Sequence, residues 1–449
     1  MKSVEIFNII TAILFFVCYF YQFVYLAVSL FRYGDKKKAK PTDESCHAEK
    51  SRIAILIAAR NEARVIGGLL DSISRQTYDP ELIDVYVGAD NCTDDTAGIA
   101  RAHGAVVFER NDTVHVGKGY VLDFLLKKID SEIGKKYDAY IVPDADNILD
   151  PDFVREITHV YNSGYEIVTC YRNSKNYGDN FISAGYALWF LRESRYLNDP
   201  RMRLGSSCAV SGTGFLFSDK AIRELGGWSF YLLTEDIEFT IQNAVDGRKI
   251  GYAERAVIYD EQPTDFAQSW RQRLRWTIGY IQVYRKYFGK LVGGIFHGSF
   301  SCYDMAMNIM PAAVLSALSA IVNLTAFLIG ISQGKDVSSL IISALWTVAG
   351  LYLTLLFHGG LTTITEWRKI RCSSAKKVLY ALTFPLYMMT YIPICIAAVF
   401  AKPEWKPIVH EKSVTLDEIM ALDGDKSADR SKNGDRRRRK KQTMKRSLD

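Results

Sequence analysis

The chain has 449 residues, 48% of them hydrophobic, with 56 Lys+Arg against 50 Asp+Glu and a formal net charge of +6. With 24% charged and 12% aromatic residues it is neither a disordered polyelectrolyte nor a collagen-like repeat, and eight cysteines over this length exclude a disulfide-stapled miniprotein. The net charge leaves nucleic acid, an acidic membrane surface or a local basic tail open until its distribution is known.

Ile6 to Leu30 is almost wholly apolar, interrupted by Asn8, Thr11, Gln22 and Ser29. At about 1.5 Å per residue such a helix crosses a hydrocarbon core of about 30 Å. It is too long for a signal-peptide core, and Arg32, Lys36, Lys37, Lys38 and Lys40 follow it, which assigns that flank to the cytosol. Residues 1–32 are therefore read as a transmembrane helix, 33–50 as a cytosolic linker and 51–290 as a soluble domain.

Within that domain, buried-strand runs at 52–58, 83–88, 105–108 and 139–142 alternate with helical patterns at 63–73, 94–103 and 120–129. This alternation predicts an α/β fold with a mainly parallel sheet and helices on both faces, whose ligands bind at the carboxyl ends of the strands. Residues 291–308 read as an interfacial helix, and 309–331 and 337–357 as spanning helices. Segment 378–401 contains Pro385 and Pro393, and is read as two short halves that enter and leave by the same face. The basic loop 367–377 and the run Arg436–Lys441 both favour the inside, so a third full crossing after the domain conflicts with them. Trp405, Lys406, Pro407, Ile408 and His410 follow, either as an interfacial anchor or as a fold-back onto the site. Residues 424–449 carry 11 Lys/Arg and 4 Asp, a larger excess than that of the whole chain. The charge is thus a tail property; the tail (within 402–449) reads as cytosolic and disordered, suited to anionic lipid. The domain has no basic stripe interleaved with aromatics, so nucleic acid is not an expected partner. The cysteines form no metal-spaced set and read as reduced thiols.

Polar clusters sit where the strands end. Asp144 and Asp146 follow the fourth strand at i, i+2, a spacing that suits a hard divalent cation and equally suits a solvated loop. Thr234, Glu235 and Asp236 open a helix, either as an N-cap with acidic first-turn residues or as a site with a carboxylate general base. Gln272, Arg275 and Trp276 share a helix that fits phosphate recognition or a basic helix lying along a membrane. Asn61 and Glu62 follow strand one, Asp90 follows strand two, and Lys118 lies between two glycines that let backbone approach a phosphate.

The ordered set Asp90, Asp144-x-Asp146, Thr234-Glu-Asp236 and Gln272-x-x-Arg275-Trp276 resembles the family 2 glycosyltransferases. The resemblance is to their membrane branch, which includes poly-N-acetylglucosamine, hyaluronan, chitin and cellulose synthases. It implies a GT-A nucleotide-sugar-binding domain inserted between transmembrane helices. It further implies that Asn61, Glu62 and Asp90 hold the uridine of a UDP-sugar and Lys118 its diphosphate. By the same resemblance Asp144 and Asp146 bind the donor and Mg²⁺ or Mn²⁺, and Asp236, with Glu235 beside it, supplies the catalytic base. Gln272, Arg275 and Trp276 serve the diphosphate and acceptor, and Gly212, Thr213 and Gly214 form part of the acceptor wall. The implied reaction is inverting transfer from a UDP-sugar (UDP-GlcNAc or UDP-Glc) to a growing polysaccharide, with addition of one sugar to a lipid as the alternative. A small membrane subunit or a homodimer would complete a conduit. A membrane-anchored binding protein without catalysis is the remaining alternative.

Overall fold

A computed structural model of the protein describes residues 2–31, 50–309, 311–334, 338–402, 414–419 and 421. Most of the expected linker, residues 405–408, His410 and the basic tail from 424 lie outside the described residues.

The N-terminal apolar stretch is two helices, α1 (Lys2–Tyr19) and α2 (Tyr21–Phe31), bent by 42°. The bend has a cause in polar contacts. Tyr21 and Tyr25 hydroxyls donate to Asp304 at 3.0 and 2.8 Å, Gln22 accepts from Arg192, and Ser29 donates to the Arg195 carbonyl. Positions 21, 25 and 29 share one helical face, so α2 leaves the line of α1 to follow the domain.

The domain holds one eight-stranded sheet: β1 (Ile53–Ala59), β2 (Ile83–Asp90), β3 (Val106–Arg110), β4 (Ala139–Val142), β5 (Ile148–Leu149), β6 (Ile167–Ser174), β7 (Phe215–Ser218) and β8 (Ile250–Asp260). Its order is β3-β2-β1-β4-β7-β6-β8-β5. The pairings of β1 with β2 and β4, β2 with β3, and β6 with β8 are parallel, whereas β7 pairs antiparallel with β4 and β6, and β5 with β8. The first half therefore has the expected parallel form, and the antiparallel strands lie beyond the runs legible in the sequence.

The domain helices are α3 (Ile66–Ser74), α4 (Thr96–Ala102), α5 (Lys118–Lys128), α6 (Phe153–Asn162), α7 (Phe181–Glu193), α8 (Asp199–Arg203), α9 (Asp219–Glu224), α10 (Glu235–Val245) and α11 (Phe266–Phe296). Alternation along β1 feeds two cores. Leu56 packs with Leu122, Leu125 and Leu188 on one face, and Ile55 and Ile57 pack with Leu69, Phe153 and Ile157 on the other. Both faces are covered, which is why these strands read as continuous apolar runs.

After the domain come α12 (Phe300–Ile309), α13 (Pro311–Ser332), α14 (Ser338–Thr365), α15 (Ser374–Met389) and α16 (Tyr391–Phe400). The helix expected at 291–308 is in fact the end of α11 and all of α12, separated by a turn at Gly298 with φ +81°. Among the described residues, two stretches are long and apolar enough to cross a membrane, Leu340–Thr365 and Ser374–Phe400, and the bent α1–α2 pair makes a third if it is one span. Within α13, Leu318–Ser332 is a shorter apolar helix. The halves expected at 378–401 are α15 and α16, which meet at Thr390 but run on as one 27-residue stretch instead of doubling back. Arg273 of α11 holds the join: its guanidinium donates to Thr390 Oγ1 at 2.5 Å and lies over the rings of Tyr387 and Tyr391. The seven described cysteines are free thiols.

Candidate active site

A cavity of about 540 Å³ opens at the carboxyl ends of β1, β2 and β4, where strand order reverses on either side of β1. Its wall includes Glu62, Asp90, Lys118, Asp144, Asp146, Gly212, Glu235, Asp236, Gln272, Arg275 and Trp276. Residues more than 200 positions apart in the sequence thus share one space. Three anticipated residues are not on the wall. Asn61, at φ +58°, accepts through its side-chain oxygen from the backbone N and hydroxyl of Thr93, joining the loops after β1 and β2. Thr213 and Gly214 lie behind Gly212.

At the end of β2, Asp90 is buried, and its Oδ1 accepts from Arg110 Nη1 at 2.6 Å and from Asn91. The sequence reading missed Arg110, which fixes this carboxylate from β3. Lys118 begins α5, where its Nζ pairs with Asp144 and donates to the Gly212 carbonyl at 2.8 Å. Burial lowers its pKa, but the charges of Asp144 and Glu235 outweigh burial and hold it above the ordinary value. Gly119 is required by packing, since a Cβ there would lie 2.0 Å from the Phe230 carbonyl oxygen.

The Asp144 loop continues β1 through a parallel bridge to Ala58, and its backbone N donates to Asn147 and to Thr213 Oγ1 at 2.8 Å. Thr213 therefore positions the loop without touching the cavity. Among the described residues no cluster of three or more His, Cys, Asp or Glu forms a closed metal cage. Asp144 and Asp146 offer two hard carboxylates on the wall of an anion-sized space. That donor set fits a divalent cation whose other ligands are phosphate oxygens and water.

Thr234 occupies the N-cap position of α10, yet its side chain makes no capping hydrogen bond, and its hydroxyl is buried and unpartnered. Capping therefore does not explain the Thr-Glu-Asp run. Glu235 and Asp236 are half-buried by surface because they open on the cavity, but they sit deep in it. Burial, then the charge of Asp236, pushes Glu235 up to about 7, and burial also raises Asp236. Gly212, at φ +84°, leaves room here: a Cβ would come within 3.9 Å of Asp236 Oδ2.

α11 lays Gln272, Arg275 and Trp276 along the opposite wall. Gln272 Oε1 and Arg275 Nε are buried without a hydrogen-bond partner, and such atoms cost free energy unless something bound satisfies them. Trp276 is held edge-on by Tyr186 and Phe190, with ring centroids 5.6 and 6.2 Å away. Arg172 and Asp260 also line the site; Arg172 Nε donates to Asp260 Oδ2 at 2.9 Å and Nη1 to the Ser211 carbonyl. This buried pair supports the Gly212 loop, and no local pattern in the sequence marks it.

An α/β domain with paired carboxylates, a lysine and an arginine gathered in one cleft at its strand ends has the layout of a nucleotide-sugar-binding fold. Residues 51–279, half of the chain, match the family model described as "Glycosyltransferase like family 2", and the chain belongs to that family. It is 24% identical over 243 residues to the beta-monoglucosyldiacylglycerol synthase of Synechocystis sp., covering 53% of this chain and 49% of that protein. The chain thus spans about half the length of that relative. The synthase of the same name from Nostoc sp. is 24% identical over 372 residues, 79% of this chain and 74% of that one. The poly-beta-1,6-N-acetyl-D-glucosamine synthase of Staphylococcus aureus is 25% identical over 250 residues, 52% of this chain and 56% of its own. Among solved structures, a mannosyltransferase from Pyrobaculum calidifontis in complex with GDP-Man and Mn²⁺ superposes with a TM-score of 0.54 at 15% identity, covering 85% of this chain and 99% of that one. That similarity establishes the GT-A fold.

Proposed function

We propose that this glycosyltransferase moves a sugar from a UDP-sugar to an acceptor hydroxyl with inversion at the anomeric carbon. The observation that carries this reading is the pair of unpartnered buried donors and acceptors on α11, Gln272 Oε1 and Arg275 Nε, facing Lys118, Asp144 and Asp146 across one cavity. Asp90, fixed by Arg110, contributes to the nucleoside end. Lys118 and Arg275 lie beside the diphosphate and offset the charge that develops on it. Asp144 and Asp146 would hold Mg²⁺ or Mn²⁺, which supplies further charge neutralisation on the leaving diphosphate. Asp236 takes the proton from the acceptor hydroxyl, whose oxygen bonds to the anomeric carbon as the bond to the diphosphate breaks and UDP departs. Both carboxylates feel Lys118, with Arg275 beside Glu235 and Arg172 beside Asp236, and Asp236, next to Gly212, is the one assigned the base role. UDP-GlcNAc is the first donor to test and UDP-Glc the second. A screen of nucleotide sugars for UDP release is expected to single out one of them. EDTA is expected to abolish that release and Mg²⁺ or Mn²⁺ to restore it; full release in chelator would remove the metal.

The membrane placement of the domain is part of the same proposal: it is cytosolic, and Ser374–Phe400 makes no net crossing. Lys376 donates to the Gly178 carbonyl at 2.6 Å, and Tyr380, Phe384 and Tyr387 of α15 belong to the domain's own core. Beyond α16, Leu416 and Ile419 bury against Ile148 and Tyr259, and Arg75 pairs with Asp417 at 2.7 Å. The stretch between 402 and 414 is too short and too charged to cross back, since a spanning helix needs about 20 apolar residues. Both ends of Ser374–Phe400 are then on the domain's side, and this unbroken stretch lies along the membrane face instead of across it. With Ser447→Cys as the sole cysteine, an impermeant maleimide should label the tail only after cells are permeabilised; labelling of intact cells would overturn this placement.

A further inference from the structure

The cavity does not end at the proposed base. Beyond Trp276 it continues to the three helices that carry the chain along the membrane: Met307, Asn308 and Ile309 of α12, Met388 of α15, and Tyr391 and Cys395 of α16. Its chemistry changes along that path. Next to Asp236 stand Glu193, at the end of α7, and Tyr280 of α11, which is close enough to feel the charges of both carboxylates. Among the described residues, the side chains of Glu193, Tyr280 and Asn308 make no hydrogen bond or ion pair within the protein. They are half-buried polar groups on the wall of a cavity, available to hydrogen-bond whatever enters it. Farther out the wall is thioether, thiol, aliphatic and aromatic.

A polar inner end against the base and an apolar outer end against membrane helices suit an amphiphile. They do not suit a chain of hydroxyls along its whole length. Among the described residues, none of α13 or α14 lines the cavity. Only 6% of the apolar window of α14 is buried, so that helix presents its sides outward.

We infer that the acceptor is a membrane lipid with a hydroxyl-bearing headgroup, which enters between α12 and α16 and receives one sugar per encounter. This rests on the transferase reading above. Glu193 accepts from headgroup hydroxyls, Tyr280 and Asn308 hydrogen-bond the same group, and the acyl chains leave past Met388 and Cys395 toward the bilayer. The reacting hydroxyl then lies beside Asp236, with the rest of the lipid on the membrane side.

The test uses the full chain, reconstituted in phosphatidylcholine vesicles doped with a diacylglycerol or with a diacylglycerol carrying one sugar. The radiolabelled UDP-sugar that releases UDP is then added. The expected product is chloroform-extractable, contains one added sugar per lipid, and forms only with the hydroxyl-bearing lipid present. Label in a chloroform-insoluble polymer, or only as free sugar, would overturn the lipid acceptor while leaving sugar transfer or donor cleavage standing. No UDP release from any nucleotide sugar would instead overturn the transferase reading beneath it. Two variants localise the site. Glu193→Gln is expected to raise KM for the lipid about tenfold, the effect of one weakened hydrogen bond to a charged group. Cys395→Trp, which fills the apolar end, should raise the same constant. An equal rise in donor KM in both variants would mean a structural role and count against the site.

Discussion

Asp236→Asn is expected to abolish sugar transfer, with a loss of at least about 10³-fold in kcat, within the range for a positioned general base. Nucleotide binding should be retained, because the groups assigned to the donor (Asp90, Lys118, Asp144 and Arg275) are untouched. The isosteric change keeps the side chain's volume beside Gly212 and removes the proton acceptor. Glu235→Gln should cost less in kcat, since the base role is assigned to Asp236. The same assignment sets the pH dependence. Burial disfavours the charged forms of both Glu235 and Asp236, raising both above the ordinary carboxylate range, to about 7 for Glu235. The base works ionised, so kcat/KM should begin to fall on the acid side at a higher pH than the value of about 4 expected of an ordinary carboxylate. Because the two groups titrate together, the acid limb belongs to the pair. Loss of UDP binding in step with transfer in Asp236→Asn, or an acid limb near 4, would contradict the role.

The sequence made the donor half of this site legible for a physical reason. In a sheet covered on both faces the strands are short continuous apolar runs, so the polar residues that end them stand out. Glu62, Asp90 and Asp144 are such residues, and each reaches the cavity. Asn61 passed the same test but is spent on Thr93, a choice made by its positive φ and by the neighbouring loop, which no spacing rule reveals. The half proposed to take the acceptor was far less legible. Glu193, Tyr280 and Asn308 come from α7, α11 and α12, three helices without a shared pattern, and only packing brings them together. Thr213 was read as acceptor wall, yet it lies off the cavity and accepts from the Asp144 backbone N. The N-terminal stretch shows the same limit: Gln22 and Ser29 looked like interruptions in an apolar span, whereas with Tyr21 and Tyr25 they dock α2 on the domain. The prolines at 385 and 393 did bracket the join at Thr390, but Arg273, which secures it, was visible only as a filler in Gln272-x-x-Arg275.

Asp304→Ala is expected to destabilise the protein more than loss of any surface ion pair. Arg201 and Asp304 are 0% exposed, and the pair is joined twice, Nε to Oδ2 at 2.7 Å and Nη2 to Oδ1 at 3.0 Å. Asp304 is on α12, Arg201 on α8, and Tyr21 and Tyr25 donate to the same carboxylate from α2. One carboxylate thus unites the N-terminal helix, the catalytic domain and the first helix after it. Removing it leaves a buried guanidinium unpaired, which costs about 3–5 kcal/mol. The two tyrosine hydroxyls also lose their acceptor. Tyr25→Phe should cost less, about 1.5–3 kcal/mol for one hydrogen bond to a charged group, because Arg201 still satisfies the carboxylate. Arg201→Met together with Asp304→Leu should recover part of the loss by removing both charges, while the tyrosines stay unsatisfied. Thermal unfolding of the detergent-purified variants should therefore rank them wild type, Tyr25→Phe, the double variant, then Asp304→Ala. If Asp304→Ala melts with the wild type, the cluster does not hold α2 to the domain, and the 42° bend needs another cause.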